Sequence, residues 1–199
     1  MTVPERRTPL DVRVGSTPDA LAPISIARRS LAAGPRQWAA LGLVVAAALA
    51  ADQATKRLVS SQLALGDEVD LAGPFSIHHV QNSGIAFGFF SSATSIVIVL
   101  TAVAIAWMAT FFARSGARHP VLPVALGLVM GGSVANLVDR IRLGHVTDFL
   151  DVRWWPAFNL ADTFIVVGVA MLLATLVAAD REPRRPRRLP PPDAPPHLL

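Results

Sequence analysis

Four long apolar stretches dominate this chain, and an ordinary water-soluble domain has no room to bury all of them. A hydrocarbon core of about 30 Å asks for about 20 helical residues of low polarity. The first stretch runs from Trp38 to Ala51 and continues through Asp52; the second, Thr94 to Ala113, carries no charge. The third, Pro120 to Val138, is uncharged until Asp139 ends it, and the fourth runs from Phe158 to Ala179 with Asp162 near its start. Composition agrees, since 52% of the 199 residues are hydrophobic and only 16% are charged. That balance suits a bilayer better than water. The 37 residues before Trp38 are polar and arginine-bearing, unlike a short basic region ahead of an apolar core. All four spans are therefore expected to stay in the mature protein.

The basic residues assign a direction to each span. Arg6, Arg7, Arg13, Arg28, Arg29 and Arg36 precede the first span, Arg114 and Arg118 lie between the second and third, and five arginines follow the fourth. Against these thirteen stand Lys56, Arg57, Arg140, Arg142 and Arg153. The positive-inside rule then puts both termini in the cytoplasm and turns the segments 57–93 and 139–157 outward. Residues 1–35 and the Pro/Arg-rich stretch 181–199 are expected to be disordered cytoplasmic tails around a membrane domain at 36–180. A basic tail beside a last span reads as a topology signal attracted to anionic lipid, in preference to a nucleic-acid-binding arm.

The outer segment 57–93 contains two strand-like pieces, Val69 to Leu71 and Phe75 to Val80, broken by Ala72-Gly73-Pro74. The fold class expected is an all-α integral membrane protein of four transmembrane helices with a small extracytoplasmic β-sheet between the first and second. Asn82-Ser83-Gly84-Ile85-Ala86-Phe87-Gly88 follows the second piece. Its small residues beside an amide would let backbone approach a substrate; a plain turn into the second span is the alternative.

Span direction gathers the acids. Trp38 to Ala51 covers about 21 Å of helix, so Asp52 lies near the outer edge of the hydrocarbon. The third span delivers Asn136, Asp139 and Arg140 to the same depth, and the fourth begins there with Asn159 and Asp162. Asp148 and Asp151 sit in the connection between them. Each acid also has a bland reading. Asp52 could snorkel or pair with Lys56, Asp139 could charge a helix end, and Asp151 could pair with Arg153. Asp162 resists such a reading, because the four residues before it offer no cation.

Paired carboxylates suit peptide hydrolysis, one acting as general base on water while the other supplies a proton. Rival chemistries lack parts. The chain has no cysteine and no His-Glu-x-x-His motif, and a Ser/Lys dyad would have only Lys56. His78, His79 and His145 read as surface or interfacial residues without an acidic partner at metal-ligand spacing, so neither a metal nor a cofactor is expected. Gly127 and Gly131 read as a helix-packing pair. A proton-coupled transporter or channel subunit is the rival from another class, but a relay needs acids across the bilayer, whereas here they lie at one end.

Four ordered blocks resemble the lipoprotein signal peptidases, or signal peptidase II. They are Asp52-Gln53-x-x-Lys56, then Asn82-x-Gly84-x-Ala86-Phe87-Gly88, then Gly131-Gly132-x-x-x-Asn136-Leu137-x-Asp139-Arg140-x-x-x-Gly144-x-Val146-x-Asp148-Phe149, and last Phe158-Asn159-x-Ala161-Asp162. The resemblance, running from about Ala51 to Gly168, implies an aspartic endopeptidase with Asp148 and Asp162 as the catalytic pair. It makes Asp52, Asn82, Gly84, Asn136, Asp139, Arg140 and Asn159 supporting or substrate-binding residues. The implied substrate is a prolipoprotein whose cysteine carries diacylglycerol, cut immediately before that cysteine at the outer leaflet of the bacterial inner membrane, with globomycin as inhibitor. Only thirteen residues, Phe149 to Ala161, separate the two acids, a short connection for that family.

Overall fold

The computed structural model describes residues 31–83, 94–117 and 119–181, the last three by backbone alone. Four helices are long and apolar enough to span a bilayer. They are α1 (Pro35–Gln62), α2 (Thr94–Ser115), α3 (Leu122–Leu143) and α4 (Leu160–Arg181), and between them lie strands β1 (Glu68–Ala72), β2 (Phe75–Asn82), β3 (Val146–Val152) and β4 (Trp155–Phe158). The expected spans are all present, and the chain is a multi-pass membrane protein.

Helix α1 opens with Pro35 in its first turn, where the missing N–H costs nothing, and the Gly34 N–H donates to Gln37 Oε1 at 3.1 Å. Its 28 residues make about 42 Å of helix. That is longer than a hydrocarbon core of about 30 Å requires. Helix α3 is the central pillar. Of its most apolar 18-residue window 61% is buried, against 6% for α2 and 11% for α4, whose outer faces are left to lipid. It packs against α1, α2 and α4 in turn.

Small residues let α3 take that place. A Cβ added at Gly131 would come within 2.8 Å of the Ala48 Cβ on α1, and one at Gly132 would collide with the Ala161 carbonyl of α4. Both neighbours approach closer than any side chain allows, as the packing reading of Gly127 and Gly131 anticipates. At the end of the bundle away from the acids, Leu41, Phe112, Leu126 and Met130 form the buried apolar cluster. Trp38 meets Phe112 edge-on there with ring centroids 5.0 Å apart.

The four strands form one antiparallel sheet in the order β1-β2-β3-β4. Two of them match the strand-like pieces of the outer segment. The other two extend the expected sheet, because the connection between the third and fourth spans folds as a second hairpin against the first. Gly144 makes this possible. It ends α3 with φ at 78°, where its N–H donates to Arg140 O at 3.1 Å, and β3 begins two residues later. The register then sets Val80 opposite Asp148 and Asn82 opposite Val146.

Candidate active site

The site forms where α1 and α3 end, α4 begins and β2 and β3 run alongside. Asn159 is its organising residue. As the residue before α4 it caps the helix: the Asp162 N–H donates to Asn159 Oδ1 at 2.9 Å, and the Asn159 N–H donates back to Asp162 Oδ2 at 3.2 Å. This reciprocal pairing is a capping box, with an Asn-x-x-Asp sequence in place of the usual Ser/Thr-x-x-Glu. With its oxygen committed to the cap, the Asn159 amide nitrogen turns outward. It donates to Asp148 Oδ1 at 2.7 Å and to Asn136 Oδ1 at 3.2 Å. One side chain thus ties Asp148 on β3 to Asp162 on α4.

The remaining oxygens of these two aspartates also accept from amides. Asn82 Nδ2 donates to Asp148 Oδ2 at 3.0 Å, and Asn136 Nδ2 donates to Asp162 Oδ1 at 2.8 Å. The other pair of acids is held differently. The Lys56 ammonium lies 2.7 Å from both Asp52 Oδ2 and Asp139 Oδ2, and it donates to Asp139 Oδ2 and, at 2.9 Å, to Asn136 Oδ1. Gln53 Nε2 donates to Asp139 Oδ1 at 2.7 Å, and Asp52 Oδ1 accepts the Ala161 N–H at 2.9 Å, an otherwise orphaned donor at the start of α4. Asp52 Oδ2 has no aligned hydrogen bond and is held by the charge of Lys56. A carboxylate bound to an ammonium is committed to that ion pair. One held by neutral amides stays available to take up and release a proton.

Electrostatics separate Asp148 from an ordinary surface acid. It is only 3% exposed, and burial pushes its carboxyl up to about 6. Hydrogen bonds from Asn82 and Asn159 pull the other way, while the nearby charge of Asp162 adds to the rise. Arg140, half-buried at the end of α3, lies within electrostatic reach of Asp139, Asp148 and Asp162. It brings positive charge to the site.

Of the residues singled out in the sequence, Asp52, Asn82, Asn136, Asp139, Arg140, Asp148, Asn159 and Asp162 all converge here. Gly84, with Ala86, Phe87 and Gly88 of the same block, lies outside the described residues. Asp52 does not snorkel; it pairs with Lys56 one turn along, at 2.7 Å. It is fully buried and shares Lys56 with α3. Asp151 does not pair with Arg153; its Oδ2 lies 3.2 Å from His78 Nδ1, while Arg153 reaches Asp70 at 3.8 Å. His79 is not a surface residue. It is 7% exposed, with Nδ1 2.9 Å from the Leu63 carbonyl left over at the end of α1. Gln53 entered the sequence analysis only as a letter of a block, and Lys56 only as a possible partner of Asp52 and a lone lysine, without its link to Asp139 and Asn136.

Comparison with known proteins now decides the family. Residues 44–178 match the family described as Signal peptidase (SPase) II. The chain is 41% identical to a lipoprotein signal peptidase of Symbiobacterium thermophilum over 71% of its own length and 97% of that protein, and 39% identical to one from Pelotomaculum thermopropionicum over 74% and 99%. This chain belongs to the signal peptidase II family. A solved bacterial membrane enzyme, determined by the in meso method at 2.3 Å, shares the fold with a TM-score of 0.69. It is 23% identical and is matched over 75% of this chain and 94% of its own. Of the four acids, Asp52 and Asp139 are paired with Lys56, and Asp148 and Asp162 are bridged by Asn159.

Proposed function

We propose that the chain is an aspartic endopeptidase that removes the signal peptide from diacylglyceryl-modified prolipoproteins immediately before the lipidated cysteine. The observation that carries this reading is the tie between Asp148 and Asp162, two carboxylates bridged by one asparagine and held on every oxygen by neutral donors. One carboxyl, ionised, takes a proton from water as that water attacks the scissile carbonyl. The other, protonated, gives its proton to the carbonyl oxygen, and the resulting tetrahedral species collapses as the cysteine nitrogen is protonated and leaves. Arg140 supplies positive charge beside the two carboxyls. Asn82 and Asn136 aim the two carboxylates, Asp52 and Asp139 hold the helix ends through Lys56, and the peptidase unit is 36–180. The test is direct. Purified protein given a lipid-modified precursor should shorten it, with globomycin blocking the cut; an unchanged precursor beside an active control enzyme would remove the assignment.

Position in the membrane follows from charge. With thirteen cationic residues in the tails and the loop between the second and third spans, against five at the site end, both termini lie in the cytoplasm of the bacterial inner membrane. The site then opens at the outer leaflet, where the substrate's acyl chains stay in lipid while its peptide reaches the acids. Reporter fusions at either terminus are expected to read as cytoplasmic. An extracytoplasmic signal from either would reverse the orientation.

A dyad holding one proton also has a defined pH response. The active form carries one proton, so kcat/KM falls as pH rises through the higher of the pair's two macroscopic pKa values. With the Asp148 carboxyl at about 6, that falling limb is expected near pH 6 in the free enzyme. Asn82→Ala removes a hydrogen bond that favours ionised Asp148, so the limb should move to higher pH. A limb that stayed in place would mean that Asn82 does not act on the titrating pair.

A further inference from the structure

A cavity of about 240 Å³ opens between the last turns of α1 and α3. Its floor is the Lys56–Asp139 ion pair, and its walls include Arg57, Ser60, Arg142 and Thr147. Asp148, Asp162 and Asn159 take no part in it. Lys56, Asp52 and Asp139 together leave one surplus negative charge, which the two cations Arg57 and Arg142 outweigh. Both arginines are exposed, and neither makes an ion pair among the described residues. Two unpaired guanidiniums flanking a hydroxyl-lined recess match the oxygens of a phosphate group, which arginine grips with two parallel hydrogen bonds.

Depth and surroundings select the source of that phosphate. Arg57 lies five residues beyond Asp52, about 7 Å further along α1, and so stands in the headgroup layer above the hydrocarbon edge. Leu143 lines the cavity, and Leu58 and Ile141 beside the arginines are 62% and 63% exposed. A free anion would leave this apolar surround unused. A molecule with an anionic head and acyl chains would cover both. We infer that this cleft between α1 and α3 is a binding site for the phosphate headgroup of an anionic phospholipid. It borders the peptidase site through Gln53, Lys56 and Asp139 but includes neither Asp148 nor Asp162, and it is independent of which aspartates cleave.

Native mass spectrometry of the full-length protein in detergent, titrated with phosphatidylglycerol or with phosphatidylcholine of the same chains, tests it. The protein should retain one phosphatidylglycerol in preference to phosphatidylcholine. Arg57→Gln together with Arg142→Gln should cut that preference about tenfold or more, as two lipid-facing cations would predict. Arg153→Gln, an arginine outside the cavity, should leave it unchanged, and unaltered cleavage of a lipid-modified precursor would show that the double variant is folded. Equal retention of the two lipids, or a preference that survives the double substitution, would overturn the site. Inorganic phosphate that displaced phosphatidylglycerol at equal concentration would overturn the lipid as the ligand.

Discussion

Asp148→Asn and Asp162→Asn are each expected to lower turnover of a lipid-modified precursor by at least about 10³-fold while leaving insertion and substrate binding close to normal. Asparagine nearly preserves shape but neither takes nor gives the proton that the dyad must move. The two changes should not multiply, because the residues act as one unit, and the double variant should be hardly slower than either single. Asp151→Asn is the control. Its carboxylate meets His78 on the neighbouring strand β2 and touches none of the amides that hold the dyad, so its effect should be mild. Initial rates for the purified proteins decide the matter. Substantial turnover by Asp148→Asn, with Asp151→Asn inactive, would move the chemistry to a different acid.

The second large effect is expected at Lys56, and it should appear first in stability. Lys56→Met leaves Asp52 and Asp139, both buried, without the ammonium that lies 2.7 Å from each. Breaking a buried ion pair from one side costs about 3–5 kcal/mol, because the stranded charge keeps its desolvation penalty. For a chain of this size that is about a 10 °C fall in the melting temperature. Activity should fall with it, since the same ammonium orients Asn136, whose amide aims at Asp162. Adding Asp52→Asn and Asp139→Asn to Lys56→Met removes the stranded charges and should recover much of the melting temperature. If Lys56→Met alone melted like the parent protein, the ion-pair triad would not be what anchors α1 to α3.

The contrast between these two sets of acids was only half visible in the sequence. The spans are legible because a bilayer demands a length of apolar helix that no turn or strand imitates, and span direction alone places Asp52, Asp139 and Asp162 at one end. The β1–β2 hairpin announces itself through Gly73-Pro74 between two strand-like pieces. The β3–β4 hairpin does not, because Asp148 and Asp151 interrupt its pattern. Its partner β2 also lies some seventy residues earlier, where local periodicity has no reach. Lys56 illustrates the same limit. Its i,i+4 spacing from Asp52 suggests a helix-surface pair, but its second carboxylate comes from α3, 83 residues away. His79 looked superficial because its partner is a backbone carbonyl, which no side-chain pattern records. The Asn159–Asp162 capping box was readable at i,i+3, though not the use of the spare amide to hold Asp148.

The most direct measurement is the mass of the products released by the purified protein from a precursor prepared with and without diacylglycerol on its cysteine. A dyad at Asp148 and Asp162 serving a lipid-anchored substrate predicts one cut, with the mature fragment beginning at the lipidated cysteine and the unlipidated precursor left intact. Cleavage at another bond, or equal cleavage of the unlipidated form, would contradict it.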